Sequence, residues 1–370
     1  MPAAESLETF LSRLNRSKLL SREQMSDLCD ASHARSTPRE LANWLVQQRW
    51  LTRWQATQLL EGHEQLHVGK YRLLDLIGRG GMGLVFRAEH GTSRQNVALK
   101  VMTQLGNPKG MKRYLQEVRA ASALAHPHIV QTLESGVADG CHFLVMEFLH
   151  GLDLWETMRT QSPLSVGWSC EVVRQVALGL QHAHEQGLVH RDIKPSNIFV
   201  SPNPDFATPH ARILDFGLAH IATESLALNP VTQTGAVLGT PDYISPEQAM
   251  SATHADIRSD IFSLGCTLFQ MLTGEVPFPG DNVMSKLMGR ITTTPPSVSA
   301  LRAEAHSDLD ELVANMLRTN PNDRPQTPAE IADELERLTL KIRRHESRIG
   351  RLSPRKASPH SESRSRLRRS

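Results

Sequence analysis

Cysteine and long apolar runs are both scarce in this 370-residue sequence. The four cysteines are widely scattered and form no CxxC pair: Cys29, Cys141, Cys170 and Cys266. Their spacing argues against a zinc site or a disulfide framework and fits a reducing compartment. The best apolar run, 261–272, is too short to cross a membrane and suits a buried helix. Glu5 and Glu8 stand where a signal peptide would be basic or apolar, so we expect a cytoplasmic protein without a transmembrane segment.

Charge is nearly balanced over the whole chain but not along it. Lys and Arg number 41 against 39 Asp and Glu. The segment 341–370 alone holds 11 of the basic residues and 2 of the acidic ones, so an acidic body carries a basic tail. This tail is rich in Ser, Arg and Pro, a composition typical of disorder. It is either simply solvated, autophosphorylated on its serines, or in weak contact with nucleic acid or an anionic surface.

The first 66 residues contain an internal repeat. Residues 10–28 align with residues 41–59 around a shared core, L-[ST]-R-x-Q. Ser21 and Thr52 occupy helix N-cap positions, and each is followed three residues later by a glutamine, the pattern of a capping box. We therefore predict a small all-α module of two helix hairpins, with helices at 7–17, 22–33, 38–48 and 53–62.

Three tryptophans lie in the second half of this repeat: Trp44, Trp50 and Trp54. They either form the core of the module or expose a surface for an unidentified partner of residues 1–66. The apolar pattern resembles the small helical module at the N-terminus of type II secretion ATPases.

A glycine-rich stretch follows the module. Gly78, Gly80 and Gly83 form G-x-G-x-x-G between two stretches with strand-like alternation. A dinucleotide site would require a helix after the glycines, so this context favours a hairpin that covers phosphates with its backbone amides. On its own, the stretch is also typical of an ordinary glycine-rich hairpin.

Two charged residues beyond the glycines strengthen the phosphate interpretation. A predicted strand at 97–100 ends at Lys100, which would neutralise the α- and β-phosphates of a nucleotide. Ala98 on this strand leaves room for an adenine ring. A predicted helix at 111–125 carries Glu117, the expected ion-pair partner of Lys100.

The densest group of reactive side chains lies between residues 189 and 217. Asp192, Lys194 and Asn197 are close together, and Asp215 follows just before Phe-Gly. Two carboxylates, an ammonium group and an amide at this spacing suit phosphoryl transfer, in which the protein mainly positions groups and neutralises charge.

Five motifs now stand in order along the chain: the glycine-rich loop, VALK at 97–100, HRDIKPSN at 190–197, DFG at 215–217 and GTPDYISPE at 239–247. Together they resemble the eukaryotic-like (Hanks-type) bacterial Ser/Thr protein kinases. The resemblance implies an α+β, bilobal protein kinase fold, preceded by the small all-α helical module. The expected domains are the module at 1–66, the kinase domain at 67–340 and the tail at 341–370.

The resemblance also implies residue roles. Asp192 would accept or orient the substrate hydroxyl, and Lys194 would contact the γ-phosphate of ATP. Asn197 and Asp215 would hold Mg²⁺, which prefers oxygen ligands. Thr240 would bond Asp192 and Lys194, a feature of Ser/Thr kinases. The ATP-binding residues would be Ile77, Gly78, Arg79, Gly80, Gly81, Met82, Gly83, Leu84, Val85, Ala98, Lys100, Glu147 and Leu149.

An activation segment is expected between the DFG motif and residue 247. Thr232 and Thr234 in this segment resemble the paired autophosphorylation threonines of bacterial relatives, although they also suit solvated loop residues. Arg191 would bind the phosphate that they carry. Such autophosphorylation would involve self-association of the kinase.

Two contacts are expected to support the larger lobe. Glu247 would form a buried ion pair with Arg324. Asp260 opens the apolar helix at 261–272, and its carboxylate would bond the backbone of the loop that carries Asp192.

Two other functions fit parts of this pattern. A pseudokinase scaffold would bind partners through residues 1–66, but it would lack at least one of four residues that are all present here: Lys100, Asp192, Asn197 and Asp215. A kinase for a small metabolite would not require 239–247, which builds a platform for protein substrates in the family. The sequence therefore favours an ATP-dependent Ser/Thr protein kinase.

Overall fold

The computed structural model describes residues 6–32, 37–80, 83–102, 116, 118–202, 208–216, 241–250 and 255–352. The element order confirms the expected α+β fold. A helical module comes first, followed by a lobe built on an antiparallel sheet and then by a mainly helical lobe.

Four helices form the N-terminal module, as the capping pattern predicts: α1 (Leu7–Ser17), α2 (Arg22–Ser32), α3 (Pro38–Gln47) and α4 (Arg53–Leu60). Both capping boxes are formed, Ser21 with Gln24 before α2 and Thr52 with Gln55 before α4. The helices enclose an apolar core of their own, whose fully buried residues include Phe10, Leu14, Leu28, Leu41, Leu45 and Leu59.

The three tryptophans pack inside the molecule. Trp44 and Trp50 meet edge to face, with their ring centroids 5.2 Å apart. The Trp54 ring lies 5.5 Å from the ring of Phe86, which belongs to the sheet of the next lobe. All three are partly buried against the core of the module. The core interpretation is thus confirmed, and the surface that Trp54 covers belongs to the same chain.

The smaller lobe is an antiparallel sheet of six strands, β1 (His67–Val68), β2 (Tyr71–Gly80), β3 (Gly83–His90), β4 (Asn96–Met102), β5 (Thr132–Ala138) and β6 (Cys141–Glu147). Their order in the sheet is β1-β2-β3-β4-β6-β5. One face buries a cluster of β-branched and aromatic residues, the types that strands favour: Val68, Tyr71, Phe86, Val97, Val101, Phe143 and Val145.

The larger lobe begins with α5 (Leu154–Gln161), α6 (Val166–Glu185) and a small sheet of β7 (Leu152–Asp153), β8 (Ile198–Ser201) and β9 (His210–Ile213). It continues with α7 (Pro246–Met250), α8 (Ile257–Thr273), α9 (Val283–Thr292), α10 (Val298–Leu301), α11 (Ser307–Met316) and α12 (Pro328–Leu352). Every residue of α8 from Ile261 to Leu272 is buried, so this helix is the axis of the lobe. No described helix is both long and apolar enough to span a bilayer.

The last helix is longer than the sequence pattern suggests. Residues 341–352, predicted to belong to a disordered tail, continue α12 as far as Leu352. This stretch contains no proline and consists mainly of residues that tolerate a helix, and Pro354 follows shortly after its end. The helix therefore extends past residue 341, where the basic tail was predicted to begin.

The expected ion pair between Glu247 and Arg324 is confirmed. The guanidinium of Arg324 donates to both carboxylate oxygens of Glu247, each at 2.8 Å. It also donates to three backbone carbonyls and lies 4.9 Å from the ring centroid of Phe262. The Arg324 side chain has no exposed surface, so removal of one partner would leave the other charge buried.

We expect the substitution Arg324→Met to lower the free energy of unfolding by about 3–5 kcal/mol, because it isolates the Glu247 carboxylate. The matched control is Arg159→Met in α5, whose guanidinium pairs with Glu156 in solvent and is 63% exposed. The control should cost at most about 1 kcal/mol. Urea unfolding measures both, and equal losses would contradict the structural role of the buried pair.

The same pair predicts a pH dependence. Burial raises the pKa of Glu247, but the Arg324 guanidinium and the Ser259 hydroxyl lower it further, so it lies below its ordinary value of 4.5. A carboxyl group with a lowered folded pKa stabilises the fold above its unfolded pKa and loses that contribution as the pH falls. The difference in free energy of unfolding between wild type and Arg324→Met should therefore shrink as the pH falls below 4.5. Urea unfolding at several pH values measures this difference, and a value that stays constant with pH would contradict the prediction.

Candidate active site

One buried carboxylate fixes the HRD loop, which we define as residues 189–200. Asp260, in the first turn of α8, is fully buried and accepts the backbone N–H groups of His190 and Arg191, each at 2.7 Å. Burial raises the pKa of Asp260 above its ordinary value despite these bonds. Arg191 has a φ of 68°, a conformation that costs a non-glycine residue energy and requires such support. The expected tie between Asp260 and this loop is confirmed.

His190 is a packing residue of the same loop. Its side chain is 1% exposed, and its ring meets that of Phe216 edge to face at 4.9 Å. Nδ1 accepts the backbone N–H of Asp192 at 3.2 Å, so in the neutral ring Nε2 carries the proton and donates to the Leu214 carbonyl at 2.8 Å. His190 thus connects the HRD loop with the segment that ends in Asp215 and Phe216.

Asp192, Lys194 and Asn197 converge at the centre of the HRD loop. Lys194 Nζ lies 2.7 Å from Asp192 Oδ2, and Asn197 Nδ2 donates to the same oxygen at 3.0 Å. Asn197 Nδ2 also donates to the Asp192 carbonyl at 2.7 Å. Both side-chain bonds reach Oδ2, so Asp192 Oδ1 accepts no bond from a described residue. A reacting hydroxyl could approach this oxygen.

Lys100 and Asp215 form a second charged pair beside this centre. Lys100 Nζ, projecting from β4, lies 2.9 Å from Asp215 Oδ2, and the Lys100 side chain is almost fully buried. The N–H of Leu214 donates to the Asn197 carbonyl at 2.9 Å, which places Asn197 and Asp215 on adjacent backbone. The predicted partner of Lys100, Glu117, lies outside the described residues.

The glycine-rich hairpin joins β2 to β3. Gly80 pairs with Gly83, and Gly78 pairs with Val85. A Cβ atom at Gly83 would lie 2.0 Å from the Val101 carbonyl oxygen of the neighbouring strand β4, so only glycine fits at this position. Ile77 is 49% exposed at the start of the hairpin. The tip, Gly81 and Met82, lies outside the described residues.

The expected base pocket is bounded by β4 and by the hinge after β6. Ala98 of β4 pairs with the buried Met146 of β6. The N–H of Glu147 donates to the Gln131 carbonyl at 3.0 Å, and the Glu147 carboxylate pairs with Arg212 at 2.9 Å. The Glu147 N–H is therefore already bonded within the protein.

The structure brings five predicted site residues together: Lys100, Asp192, Lys194, Asn197 and Asp215. Arg79 and Leu84 lie in the glycine-rich hairpin, and Leu149 lies in the hinge after β6. The predicted residues that lie outside the described part of the chain are Gly81, Met82, Glu117, Thr232, Thr234 and Thr240.

Several supporting residues were missed by the sequence analysis. Gln248 Nε2 donates to the Arg191 carbonyl at 2.9 Å across 57 residues. Lys286 Nζ lies 2.7 Å from Asp242, and Arg290 of α9 donates to the Pro241 carbonyl. These contacts hold the end of the activation segment against the helical lobe. They depend on the packing of distant helices, and no local motif indicates them.

A protein kinase domain model matches residues 71–335 of this chain. Serine/threonine-protein kinase pkn3 of Myxococcus xanthus is 39% identical to it over 75% of this chain and 51% of that protein. Serine/threonine-protein kinase PknB of Mycobacterium tuberculosis is 37% identical over 73% of this chain and 43% of that protein. The chain thus spans about half the length of these curated relatives.

Solved structures have the same fold. The kinase domain of Mycobacterium tuberculosis PknI superposes with a TM-score of 0.57 at 26% identity, over 73% of this chain and 97% of that one. Rad53 in complex with AMP-PNP superposes with a TM-score of 0.59 at 23% identity, over 76% of this chain and 68% of that one, and this likeness concerns the fold alone.

We expect Asp260→Asn to lower the free energy of unfolding by about 1–3 kcal/mol, because the amide has a single acceptor oxygen and turns an NH₂ group toward one of two N–H donors. The control is Asp256→Asn, the N-cap of the same helix, where asparagine caps as well as aspartate. Urea unfolding should show a loss in the control of at most about 1 kcal/mol, from its exposed pair with Arg258. Similar losses would contradict the anchoring role of Asp260.

Proposed function

This chain belongs to the protein kinase domain family, and on that premise we propose that it transfers the γ-phosphate of ATP to serine and threonine hydroxyls of protein substrates. The observation that carries the proposal is the convergence of Lys194 and Asn197 on one oxygen of Asp192, beside the Lys100–Asp215 pair. These groups offer donors and acceptors for phosphates and for a hydroxyl group.

Asp192 acts on the substrate hydroxyl. Its Oδ1 accepts the hydroxyl proton, or orients the hydroxyl, while Oδ2 stays bonded to Lys194 and Asn197. Lys194 carries the positive charge closest to Asp192, and it is positioned to neutralise charge on the transferred phosphoryl group. The bond from Asn197 to the Asp192 carbonyl keeps the loop in this arrangement.

ATP is held by the glycine-rich hairpin, Lys100 and the hinge. Lys100 is almost fully buried, so its charge interacts with phosphate oxygens in a poorly screened environment. The Glu147 carbonyl is the hinge acceptor for an adenine amino group. Ala98 lies opposite Met146 and leaves the base space that a larger side chain would fill.

Mg²⁺ fits the oxygen donors of Asn197 and Asp215. Asn197 and Asp215 are joined through the Leu214–Asn197 backbone bond and offer an amide oxygen and a carboxylate, ligands that Mg²⁺ prefers. When bound there, the ion would neutralise phosphate charge. A change of partner for Lys100, from Asp215 to phosphate, would leave the Asp215 carboxylate for the metal.

The rival functions are less well supported. A pseudokinase scaffold has no use for four intact charged and polar site residues, and here they form two contacting pairs, Lys100 with Asp215 and Asp192 with Asn197. A small-molecule kinase has no use for the support that Lys286 and Arg290 give to residues 241 and 242. That support favours a protein acceptor, because this segment is the expected platform for a peptide.

We expect Asp192→Asn to lower kcat for phosphoryl transfer by about 10²–10⁴-fold, because the amide cannot accept the hydroxyl proton. The affinity for ATP should change little, since Asp192 contacts the hydroxyl rather than the nucleotide. Labelling from radioactive ATP into a generic protein substrate, with ATP binding by calorimetry, measures both. Asp333→Asn, exposed on α12, is the control. Equal labelling by wild type and Asp192→Asn would contradict the proposed kinase activity at this site.

Autophosphorylation of Thr232 and Thr234 is part of the same proposal. Arg191 supports it, because its Nε is buried and has no hydrogen-bond partner among the described residues. A buried guanidinium nitrogen without a partner is costly, and a phosphothreonine would supply the missing acceptor. The same bond would link phosphorylation to Asp192, the next residue along the chain.

We expect Thr232→Ala/Thr234→Ala to lower the activity of purified kinase by about 5–150-fold, the range of a typical coupling between two sites. The control is Thr294→Ala, an exposed threonine in the helical lobe. Mass spectrometry of active wild type should find phosphate on Thr232 or Thr234. An active enzyme that carries no phosphate there would refute this regulation and leave the transferase activity intact.

The proposal extends to partners and location. Transfer between two copies of the chain would account for autophosphorylation through transient self-association. The buried thiols of Cys170 and Cys266 are free and fit a reducing, cytoplasmic setting. The basic residues beyond 352 would make weak electrostatic contacts with nucleic acid or an anionic surface.

A further inference from the structure

The second strand of the sheet, β2, is bent at two places before it reaches the glycine-rich hairpin. Leu73 pairs with Ala88 but Asp75 pairs with Arg87, so Leu74 is an extra residue that bulges from the ladder. The same irregularity occurs between Leu76 and Gly78. A bulge leaves backbone groups without their ladder partners and bends the strand. The direction in which β2 enters the hairpin therefore depends on what holds these bulges.

The N-terminal module supplies the missing partners at the first bulge. Thr52 Oγ1 donates to the Leu74 carbonyl at 2.5 Å, and Gln55 Nε2 donates to the Leu73 carbonyl at 2.6 Å. Gln55 is 1% exposed, so its bond is made in a desolvated interface where an unpaired group would be costly. Two adjacent carbonyls of β2 are thus bonded by side chains of the module.

The same two residues form the capping box of α4. The Thr52 N–H donates to Gln55 Oε1 at 2.9 Å, and the Gln55 N–H donates to Thr52 Oγ1 at 3.1 Å. Thr52 Oγ1 both accepts and donates, and the Gln55 amide uses its oxygen for the cap and its nitrogen for β2. The start of α4 and the bulge of β2 are therefore one hydrogen-bonded unit.

Other contacts hold the module against β2 and β3 beside this unit. The Trp54 ring packs on Phe86, which is the β3 partner of Leu76 between the two bulges. Arg72 donates to the Leu19 carbonyl at 3.2 Å, and the Leu73 N–H donates to the Leu66 carbonyl at 2.9 Å. The module therefore contacts the first half of β2 and the middle of β3.

We propose that Thr52 and Gln55 are positioning residues for the nucleotide site, because they hold the β2 bulge that directs the glycine-rich hairpin. Ile77 lies three residues beyond Leu74, in the second bulge, and is exposed where the hairpin begins. Loss of the two bonds lowers the fraction of molecules whose hairpin is arranged for nucleotide. The apparent affinity for ATP falls by that fraction, while chemistry in the bound state is unchanged. This inference rests on the proposed ATP-dependent function.

The internal repeat provides a matched control. Ser21 and Gln24 form the equivalent capping box of α2, with bonds of 3.2 Å and 2.9 Å, and Ser21 is exposed at the surface of the module. Substitutions there remove the same two capping bonds as those at Thr52 and Gln55. The two boxes differ in the pair of bonds to β2 and in the burial that comes with them.

The test compares Thr52→Ala/Gln55→Ala with Ser21→Ala/Gln24→Ala in the full chain. Calorimetry with Mg²⁺ and AMP-PNP should give a Kd about five- to tenfold weaker than wild type for the first variant, and a Kd within about twofold for the second. Steady-state assays should show KM for ATP raised by the same factor and kcat at saturating ATP unchanged. Thr52→Ser, which restores the hydroxyl, should bind like wild type.

If the double variant does not fold, a comparison of Thr52→Val with Ser21→Ala tests the Thr52 hydroxyl alone. The Kd for AMP-PNP and the KM for ATP should again rise for the Thr52 variant and not for the Ser21 variant. An unchanged Kd for the Thr52 variants, or equal weakening by both capping boxes, would overturn the positioning role and leave the kinase intact. A fall in kcat without a change in KM would also overturn it. A wild-type chain that binds no AMP-PNP would instead overturn the proposed function.

Discussion

The two hydrogen bonds from His190 and Arg191 to the Asp260 carboxylate support the rest of the site. Asp260 belongs to a helix that is buried around its whole circumference, so the packing of the larger lobe determines its position. It holds Arg191 at a φ of 68° and so directs the next residue, Asp192, toward Lys194 and Asn197. A buried carboxylate is tolerated here because backbone N–H groups replace its hydration.

In the smaller lobe, too, side chains satisfy backbone hydrogen-bonding groups, but these side chains are neutral. Bulges in β2 would leave backbone carbonyls unpaired, and the N-terminal module provides hydroxyl and amide donors for them. The two halves of the module share a capping chemistry, yet the second half alone uses it to bond the sheet. A helix-capping pattern thereby also forms an interface with the sheet, next to the proposed nucleotide site.

The features that local sequence motifs indicate could be predicted from the sequence. The four module helices follow from their caps, and the Glu247–Arg324 pair follows from the resemblance of the motifs to the kinase family. The bonds of Thr52 and Gln55 to β2 could not be predicted, because a capping box looks the same whether its remaining donors face solvent or a sheet. The extent of α12 was missed because charged residues that favour disorder also tolerate a helix.

The central claim is that this site phosphorylates serine and threonine in proteins. The most direct measurement is phosphoamino-acid analysis of a protein mixture labelled by the purified chain with γ-labelled ATP and Mg²⁺. Our account predicts label on phosphoserine and phosphothreonine and none on phosphotyrosine. Label confined to phosphotyrosine, or no label on any protein including the chain itself, would contradict it.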